Sequence, residues 1–224
     1  MSTKTPAKTR QSQRRPRDAV STRSEIFTAA MRLFAERNYE EVGLREIVAP
    51  VGVDVALIKR YFGSKEQLFA EVIDFANSTH ATQGLFAGSR SEVAKRLARF
   101  ITDIDSDDED REVNLLSLMV TLRAAHSERA ESILRANMEE RVLSPLAEWL
   151  GGVHSAERAA LLTAYLIGVA TMQRLIKVNA LRSGDLNVIV DYVTAGLQTC
   201  IDGVLSNSLN DGSKLSPKTK KSAD

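Results

Sequence analysis

The sequence contains little of the chemistry that marks secreted or membrane-spanning proteins. A single cysteine, Cys200, excludes an internal disulfide framework and is typical of a reducing compartment. No apolar run reaches the length of about 18 residues that a transmembrane helix needs. The N-terminal residues lack the apolar segment of a secretory signal. We therefore expect a cytoplasmic protein.

Recognisable enzyme motifs are also missing. The sequence has no Walker phosphate loop, no GxGxxG turn after a strand and no GxSxG nucleophile turn. His80, His126 and His154 lie far apart and lack partners at metal-ligand spacing. We expect no enzymatic activity, no metal site and no cofactor. The histidines are interpreted as surface or helix-end residues, and Cys200 as a packed side chain.

The apolar residues that are present indicate helices. Aromatic residues make up only 5% of the chain, and apolar residues recur at helical spacing without strand-like alternation. This periodicity predicts nine helices, which begin at or just after Thr22, Leu44, Val55, Ser64, Ser91, Glu112, Ser127, Ala156 and Leu186.

Local signals set the expected ends of several helices. Thr22 and Glu25 have the spacing of a capping box, which predicts the start of the first helix. Asn38 tolerates the left-handed conformation of many helix ends. Pro50 would cost about 3 kcal/mol inside a regular helix, so we expect a kinked or early-ending second helix. Pro145 is expected to bend the seventh helix.

The second and third predicted helices are joined by a tight turn. Gly52 stands between Val51 and Val53, where the chain must turn with positive φ at little cost. A basic helix follows, as in a helix-turn-helix whose second helix enters the DNA major groove. The stretch 22–75 closely resembles the tetracycline-repressor (TetR) family of bacterial regulators in its blocks LFAERNYEEVGLREI, GVDVALIKRYF and GSKEQLF.

The resemblance implies an all-α, nine-helix homodimer. A three-helix, N-terminal helix-turn-helix domain would precede a helical domain for ligand binding and dimerisation. The predicted limits are a disordered basic arm at 1–20, a DNA-binding domain at 21–66, a helical domain at 67–206 and a disordered tail at 207–224. The resemblance is strong over 22–75 and only general beyond.

The charge distribution fits a polyanionic partner at the N-terminal end. Residues 1–65 contain 13 Lys/Arg and 7 Asp/Glu, a net charge of +6, whereas the remainder carries −5. A solvated basic tail would give the same asymmetry. Arg14, Arg15 and Arg17 of the arm either enter the minor groove or add only loose electrostatic attraction.

The DNA-contacting residues follow from the helical register. Ile58 must face inward, which leaves the other side chains of the third helix for DNA. Arg45, on the second helix, suits guanine O6 and N7, and the resemblance assigns Lys65 to a phosphate. The third-helix candidates are Val55, Ala56 and Leu57, which suit thymine methyls, and Lys59, Arg60 and Tyr61, which suit phosphates.

Four positions depart from the family pattern. Asn38 replaces a usual Gly, Gly43 replaces the Ser or Thr that caps the second helix, Pro50 lies late in that helix, and Lys59 replaces a phosphate-binding Tyr. If Gly43 and Lys59 reflect decay of the DNA site, the chain is a helical small-molecule binding protein that has lost DNA binding. The basic residues that remain, which are Arg45, Lys59, Arg60, Lys65 and those of the arm, argue instead for a DNA-binding regulator.

The remaining helices imply an effector site and a dimer. The eighth helix has a broad apolar face, which either pairs with its copy, together with the ninth helix, or is buried within one subunit. The function implied is a repressor released from a palindromic operator by a small, mainly apolar ligand. Candidate ligand contacts, each of which could be plain core, are Met119, Leu122, Met138, Trp149, Tyr165, Met172 and Gln173.

Overall fold

Helices account for all regular structure that is described. The structure, a computed structural model, describes residues 19–77, 86–102 and 108–203. These residues form α1 (Ala19–Glu36), α2 (Leu44–Val48), α3 (Ala56–Phe62), α4 (Lys65–Asn77), α5 (Arg90–Ile101), α6 (Asp108–Ala124), α7 (Glu128–Met138), α8 (Ser144–Leu150), α9 (Ser155–Ala170), α10 (Asn179–Arg182) and α11 (Leu186–Asp202). The predicted all-α fold class is confirmed.

Two π turns explain why eleven helices stand where nine were predicted. The first, Glu139–Leu143, divides the predicted seventh helix into α7 and α8 just before Pro145. Proline has no N–H and its ring crowds the carbonyl one turn earlier, which the wider turn relieves. The second, Thr171–Leu175, ends the predicted eighth helix, and short α10 follows.

The described chain divides into two compact units. The first comprises 19–73 and 119–134, and the second comprises 74–118 and 135–203 apart from the residues not described. The first unit therefore includes the end of α6 and the start of α7, although the predicted DNA-binding domain ended at residue 66. The predicted limits concern function and stay a prediction.

The core of the first unit is built around α1, α3 and α4. Ile26 of α1, Ile58 of α3 and Leu68 of α4 are at most 1% exposed. Phe34 meets the ring of Phe69 edge to face, with ring centroids 4.9 Å apart. The same packing explains why α4 belongs to this unit as far as residue 73.

The core of the second unit lies where α11 packs on α5 and α9, and where α8 packs on α9. Its largest fully buried side chains are Leu97, Leu150, Leu162, Leu197 and Ile201. A capping box begins α5, since the Ser89 hydroxyl accepts from the amide of Glu92.

Two predicted helix ends in the first unit are wrong. The described part of α1 already begins at Ala19, and Thr22 is a buried residue within it rather than its cap. Asn38 is extended (φ −64°, ψ 153°), not left-handed, and precedes an unpredicted 3₁₀ turn, Tyr39–Glu41. Burial of Thr22 and of Tyr39 outweighs the local end signals. By contrast, α2 ends early at Val48, as Pro50 predicted.

Candidate functional site

The turn between α2 and α3 has the geometry that the sequence predicts. Gly52 adopts φ +71°, and its amide donates to the carbonyl of Val48 (2.9 Å). The carboxylate of Asp54 then accepts from the amide of Ala56 (2.7 Å) and caps α3. The turn and this cap fix the direction in which α3 leaves α2.

The inward face of α3 leaves a polar outer face. Ile58 is 1% exposed and Phe62 is 5% exposed. Ala56, Lys59 and Arg60 are exposed and share one face of the helix, because residues three or four apart lie together. The other predicted contacts, Val55, Leu57 and Tyr61, are half-buried.

Arg45 is exposed on the short helix α2, whose start is held by Glu46. Gly43 has no side chain with which to cap this helix. Its amide donates instead to the Glu46 carboxylate (2.8 Å). This carboxylate also accepts hydrogen bonds from both terminal nitrogens of Arg37 (3.0 Å). These bonds hold the pKa of Glu46 below its ordinary value, with the Gly43 amide as the largest cause. The pair Arg37–Glu46 was not predicted from the sequence.

Lys65 begins α4 and is engaged within the protein. Its ammonium donates to the carbonyl of Tyr39 and lies 4.4 Å from the centre of the Tyr39 ring. Burial lowers the pKa of Lys65 and raises that of Tyr39. Lys65 therefore has a structural partner in addition to its predicted contact with DNA.

The turn between α6 and α7 is bound to residues near the helix-turn-helix. Arg123 Nε donates to the carbonyl of Ala35 (2.7 Å), near the end of α1. The buried hydroxyl of Ser127 donates to the Glu40 carboxylate and accepts from the amide of Ala130 (3.2 Å). The Ser127 bond is the main cause that lowers the pKa of Glu40. Sequence reasoning missed these partners because they are almost ninety residues apart.

Four of the residues named from the sequence, which are Arg14, Arg15, Arg17 and His80, lie outside the described residues. His126 and His154 are exposed, and burial raises the pKa of the half-buried Cys200. Within 19–77, 86–102 and 108–203, no three His, Cys, Asp or Glu side chains form a group that could hold a metal. No helix among these residues is long and apolar enough to cross a membrane.

The candidate ligand contacts are divided between the two units. Met119 and Leu122 belong to the first unit, whereas the others belong to the second. In the second unit, Trp149 meets the ring of Phe86 edge to face (5.3 Å), and the Arg90 guanidinium lies 5.6 Å from the Trp149 ring. Met138, at the end of α7, is half-buried.

Tyr165 and Met172 lie largely at the surface. They are 39% and 46% exposed, and a Cβ placed on Gly196 of α11 would come within 2.8 Å of the Tyr165 hydroxyl. Tyr165 therefore packs closely on α11 while keeping an exposed edge. Further exposed apolar side chains of α9 and α11 and of the segment between them are Leu161, Ile176, Val178, Leu186, Val188 and Tyr192.

Gln173 lines a cavity of about 370 Å³ in the second unit. Its side-chain amide donates to the carbonyl of Thr102 (3.1 Å), while its oxygen Oε1 is buried and accepts no hydrogen bond from a described residue. The described lining consists of Thr102, Arg111, Leu115, Gln173, Arg174, Lys177, Arg182 and Leu186.

Comparison with family models covers both halves of the chain. A model described as bacterial regulatory proteins, tetR family, matches residues 26–72. A second, described as tetracyclin repressor-like, C-terminal domain, matches residues 91–201. A comparison with curated proteins gives no match.

Solved structures share the fold at low identity. A TetR-family regulator from Streptomyces coelicolor A3 is 24% identical, with 84% of this chain and 98% of that chain covered and a TM-score of 0.52. A TetR-family transcriptional regulator from Syntrophomonas wolfei is 19% identical (84% and 99% covered, TM-score 0.63). NalD, the secondary repressor of the MexAB-OprM multidrug efflux pump in Pseudomonas aeruginosa, is 16% identical (80% and 97% covered, TM-score 0.60).

These structures support the fold alone, whereas the two family models identify the family to which the chain belongs. One spans the helix-turn-helix with its flanking helices, and the other spans α5 to α11. Such proteins regulate transcription and are not enzymes. The chain belongs to the TetR family of DNA-binding transcriptional regulators.

Proposed function

We propose that the protein is a cytoplasmic, homodimeric repressor that binds a palindromic operator and leaves it when a small molecule binds its C-terminal part. The observation that carries this proposal is the exposed, cationic face of α3 behind a well-formed turn, in a chain that both family models match. A two-fold dimer presents two such helices, so its operator has two related half-sites.

Helix α3 enters the major groove with its exposed face. Ala56 approaches base edges, where its methyl group suits thymine, and Lys59 and Arg60 bind phosphates on either side. Val55, Leu57 and Tyr61 add contacts from the edges of this face. Arg45 supplies the hydrogen-bonded base contact that the first residues of α3 lack, because its planar fork matches guanine O6 and N7.

The remaining basic residues strengthen binding without specifying sequence. Lys65 lies at the start of α4 and binds a phosphate through the face of its ammonium that Tyr39 leaves open. Arg14, Arg15 and Arg17 of the N-terminal arm add attraction to the DNA backbone or enter the minor groove. Both contributions weaken as salt concentration rises.

Dimerisation uses α9 and α11. On α9 and the π turn after it, Leu161, Tyr165 and Met172 follow one helical stripe and are between 39% and 62% exposed. On α11, Val188 and Tyr192 are four residues apart and are 49% and 76% exposed. Large apolar side chains exposed on two helices that pack together indicate an interaction surface. Pairing these helices with their copies would remove it from water.

Release by an effector requires that the effector prefers a different dimer conformation. DNA is bound only when the two copies of α3, which are the recognition helices of the dimer, lie about 34–36 Å apart, one helical turn of DNA. An effector can lower the affinity for DNA by at most the ratio of its own affinities for the two dimer conformations. We propose α4 as the connecting element, because its residues belong to the first unit up to Ile73 and to the second from Asp74.

The turn between α6 and α7 offers a second route. A shift of α6 or α7 would act on the ends of α1 and of the 3₁₀ turn through Arg123 and Ser127. The effector contacts proposed from the sequence are Met119 and Leu122 in the first unit and Met138, Trp149, Tyr165, Met172 and Gln173 in the second. Most of these side chains are apolar, which favours a ligand with a largely apolar body.

Selection of random DNA fragments by the purified full-length protein tests this function. Sequencing the bound fragments should yield an enriched palindrome. An absence of any enriched palindrome would contradict the proposal and would favour a helical small-molecule binding protein that has lost DNA binding.

A further inference from the structure

We propose that the 370 Å³ cavity of the second unit binds a small organic anion, with an acidic head group and an apolar body. The inference depends on the proposed function only for the biological role of this ligand as the effector. It specifies the chemical class of the ligand: an amphipathic acid rather than any mainly apolar molecule.

The described lining of the cavity carries positive charge. Three arginines and one lysine line it, and no carboxylate is among its described lining residues. Lys177 and Arg182 are exposed and make no ion pair with another residue that the structure describes. An anion that enters the cavity is therefore attracted by these two cations.

The backbone holds one of the four cations. The terminal nitrogen of Arg174 donates to the carbonyl oxygens of Phe100 and Ile101 at the end of α5 (3.3 Å), so this guanidinium is held next to the cavity. Lys177 has a left-handed backbone (φ +58°), which is uncommon for a residue other than glycine and is found at ligand sites.

Gln173 adds an unsatisfied acceptor. Because its nitrogen already donates to Thr102, the orientation of the amide is fixed and its oxygen cannot exchange places with the nitrogen. This oxygen is buried without a partner among the described residues. A hydroxyl or N–H group on the ligand would satisfy it, as buried polar groups in proteins usually are satisfied.

The size and the remaining walls indicate a small molecule. The volume falls within the range of about 300–1,000 Å³ that is typical of small-molecule sites. Leu115 and Leu186 provide apolar wall, and the aliphatic stems of the arginines extend it. A short carboxylic acid would place its charge on the cations and its chain on these leucines.

The test is calorimetric titration of the full-length protein with octanoate and with octanamide, which has the same chain and no charge. We expect octanoate to bind at least about tenfold more tightly than octanamide, and its affinity to fall as salt is raised. The double variant Lys177→Gln, Arg182→Gln should weaken octanoate binding by about tenfold or more. Lys95→Gln, an exposed lysine on α5, is the matched control and should bind like the wild type.

Three results would overturn the inference: no octanoate binding at millimolar concentration, equal binding of the two ligands, or equal binding by the double variant and the Lys95→Gln control. Circular dichroism of the variants checks their folding, which exposed positions should preserve. Operator binding is measured separately. If octanoate binds but leaves operator affinity unchanged, its role as effector fails while the anion site stands; if operator binding is intact and octanoate does not bind, the anion site alone fails.

Discussion

The residues that we propose for DNA contact differ in how many contacts they make within the protein. Lys59 is exposed and its ammonium donates no hydrogen bond to another described residue, whereas the ammonium of Lys65 contacts the carbonyl and the ring of Tyr39. Removing Lys59 should therefore affect DNA alone. Removing Lys65 should affect both DNA and the first unit, because the Tyr39 carbonyl loses its donor.

The first prediction separates these two roles. Lys59→Ala should lower the slope of log affinity against log salt by about one per contacted site and weaken binding to all sequences alike. Its thermal unfolding midpoint should stay at the wild-type value. Lys65→Ala should lower the slope in the same way and also cost about 1 kcal/mol of stability. Lys95→Ala is the control. If the slope for Lys59→Ala equals that of the wild type, Lys59 does not contact DNA.

The second prediction concerns base recognition by Arg45. Arg45→Ala should cost about 1–3 kcal/mol on the best operator and relax the preference at one guanine per half-site. Arg45→Lys is the matched control, because it keeps the charge but not the planar fork, so it should keep the salt slope and lose the preference. If DNA selected with Arg45→Ala gives the wild-type sequence logo, Arg45 contacts only backbone or solvent.

Residue-scale prediction from the sequence succeeded where the requirement is local. A tight turn needs positive φ, so Gly52 could be placed, and helical register alone turns Ile58 inward. The contact of Lys65 with Tyr39 was not predicted, because it depends on a 3₁₀ turn that directly follows Asn38, where only the end of a helix was expected. The Arg37–Glu46 pair was not predicted either, because it joins the end of one helix to the start of the next.

The N-termini of helices were easier to predict from the sequence than the π turns that interrupt helices. Asp54, Ser64 and Ser89 accept from amides of the helices that they begin, because capping is a contact within one turn. The π turns were missed. The first follows from a proline whose effect on the preceding carbonyls depends on the surrounding packing. The second is accompanied by a bond from the Thr171 hydroxyl to the carbonyl of Ile167 (2.7 Å), a local competition that the sequence does not resolve.

The third prediction tests the surface formed by α9 and α11. Tyr192→Asp would place a carboxylate in the proposed dimer interface, where an unpaired buried charge is strongly unfavourable. Sedimentation velocity should show a dimer for the wild type and a monomer for this variant, whose operator affinity should fall as well. Val153→Asp is the control, since Val153 lies between α8 and α9 and is 77% exposed, against 76% for Tyr192. Identical masses for Tyr192→Asp and the wild type would contradict the proposed interface.

For the whole molecule, the net charge differs between the two ends of the chain. Residues 1–65, which include the helix-turn-helix, carry an excess of positive charge, while the rest of the chain is net negative and carries a locally basic cavity. The sequence could reveal the first feature, because it is a sum over one segment. It could not reveal the second, because Arg111, Arg174 and Arg182 come together only through folding.

The fourth prediction is reciprocity between ligand and operator. If octanoate releases DNA, operator DNA must weaken octanoate binding by the same factor, with a coupling of about 1–3 kcal/mol. Calorimetric titration of octanoate with and without saturating operator measures this factor directly. Equal affinities in the two titrations would mean that octanoate binding and DNA binding are independent.

The central claim is that two recognition helices, one from each protomer, bind two half-sites on the same face of DNA. Its most direct test is the affinity of the full-length protein for its selected operator as the spacing between half-sites is changed. Inserting about half a helical turn, roughly 5 base pairs, should lower affinity by at least about a hundredfold, because the second half-site then faces away from the second helix. Affinity that is unchanged by this insertion would contradict the account.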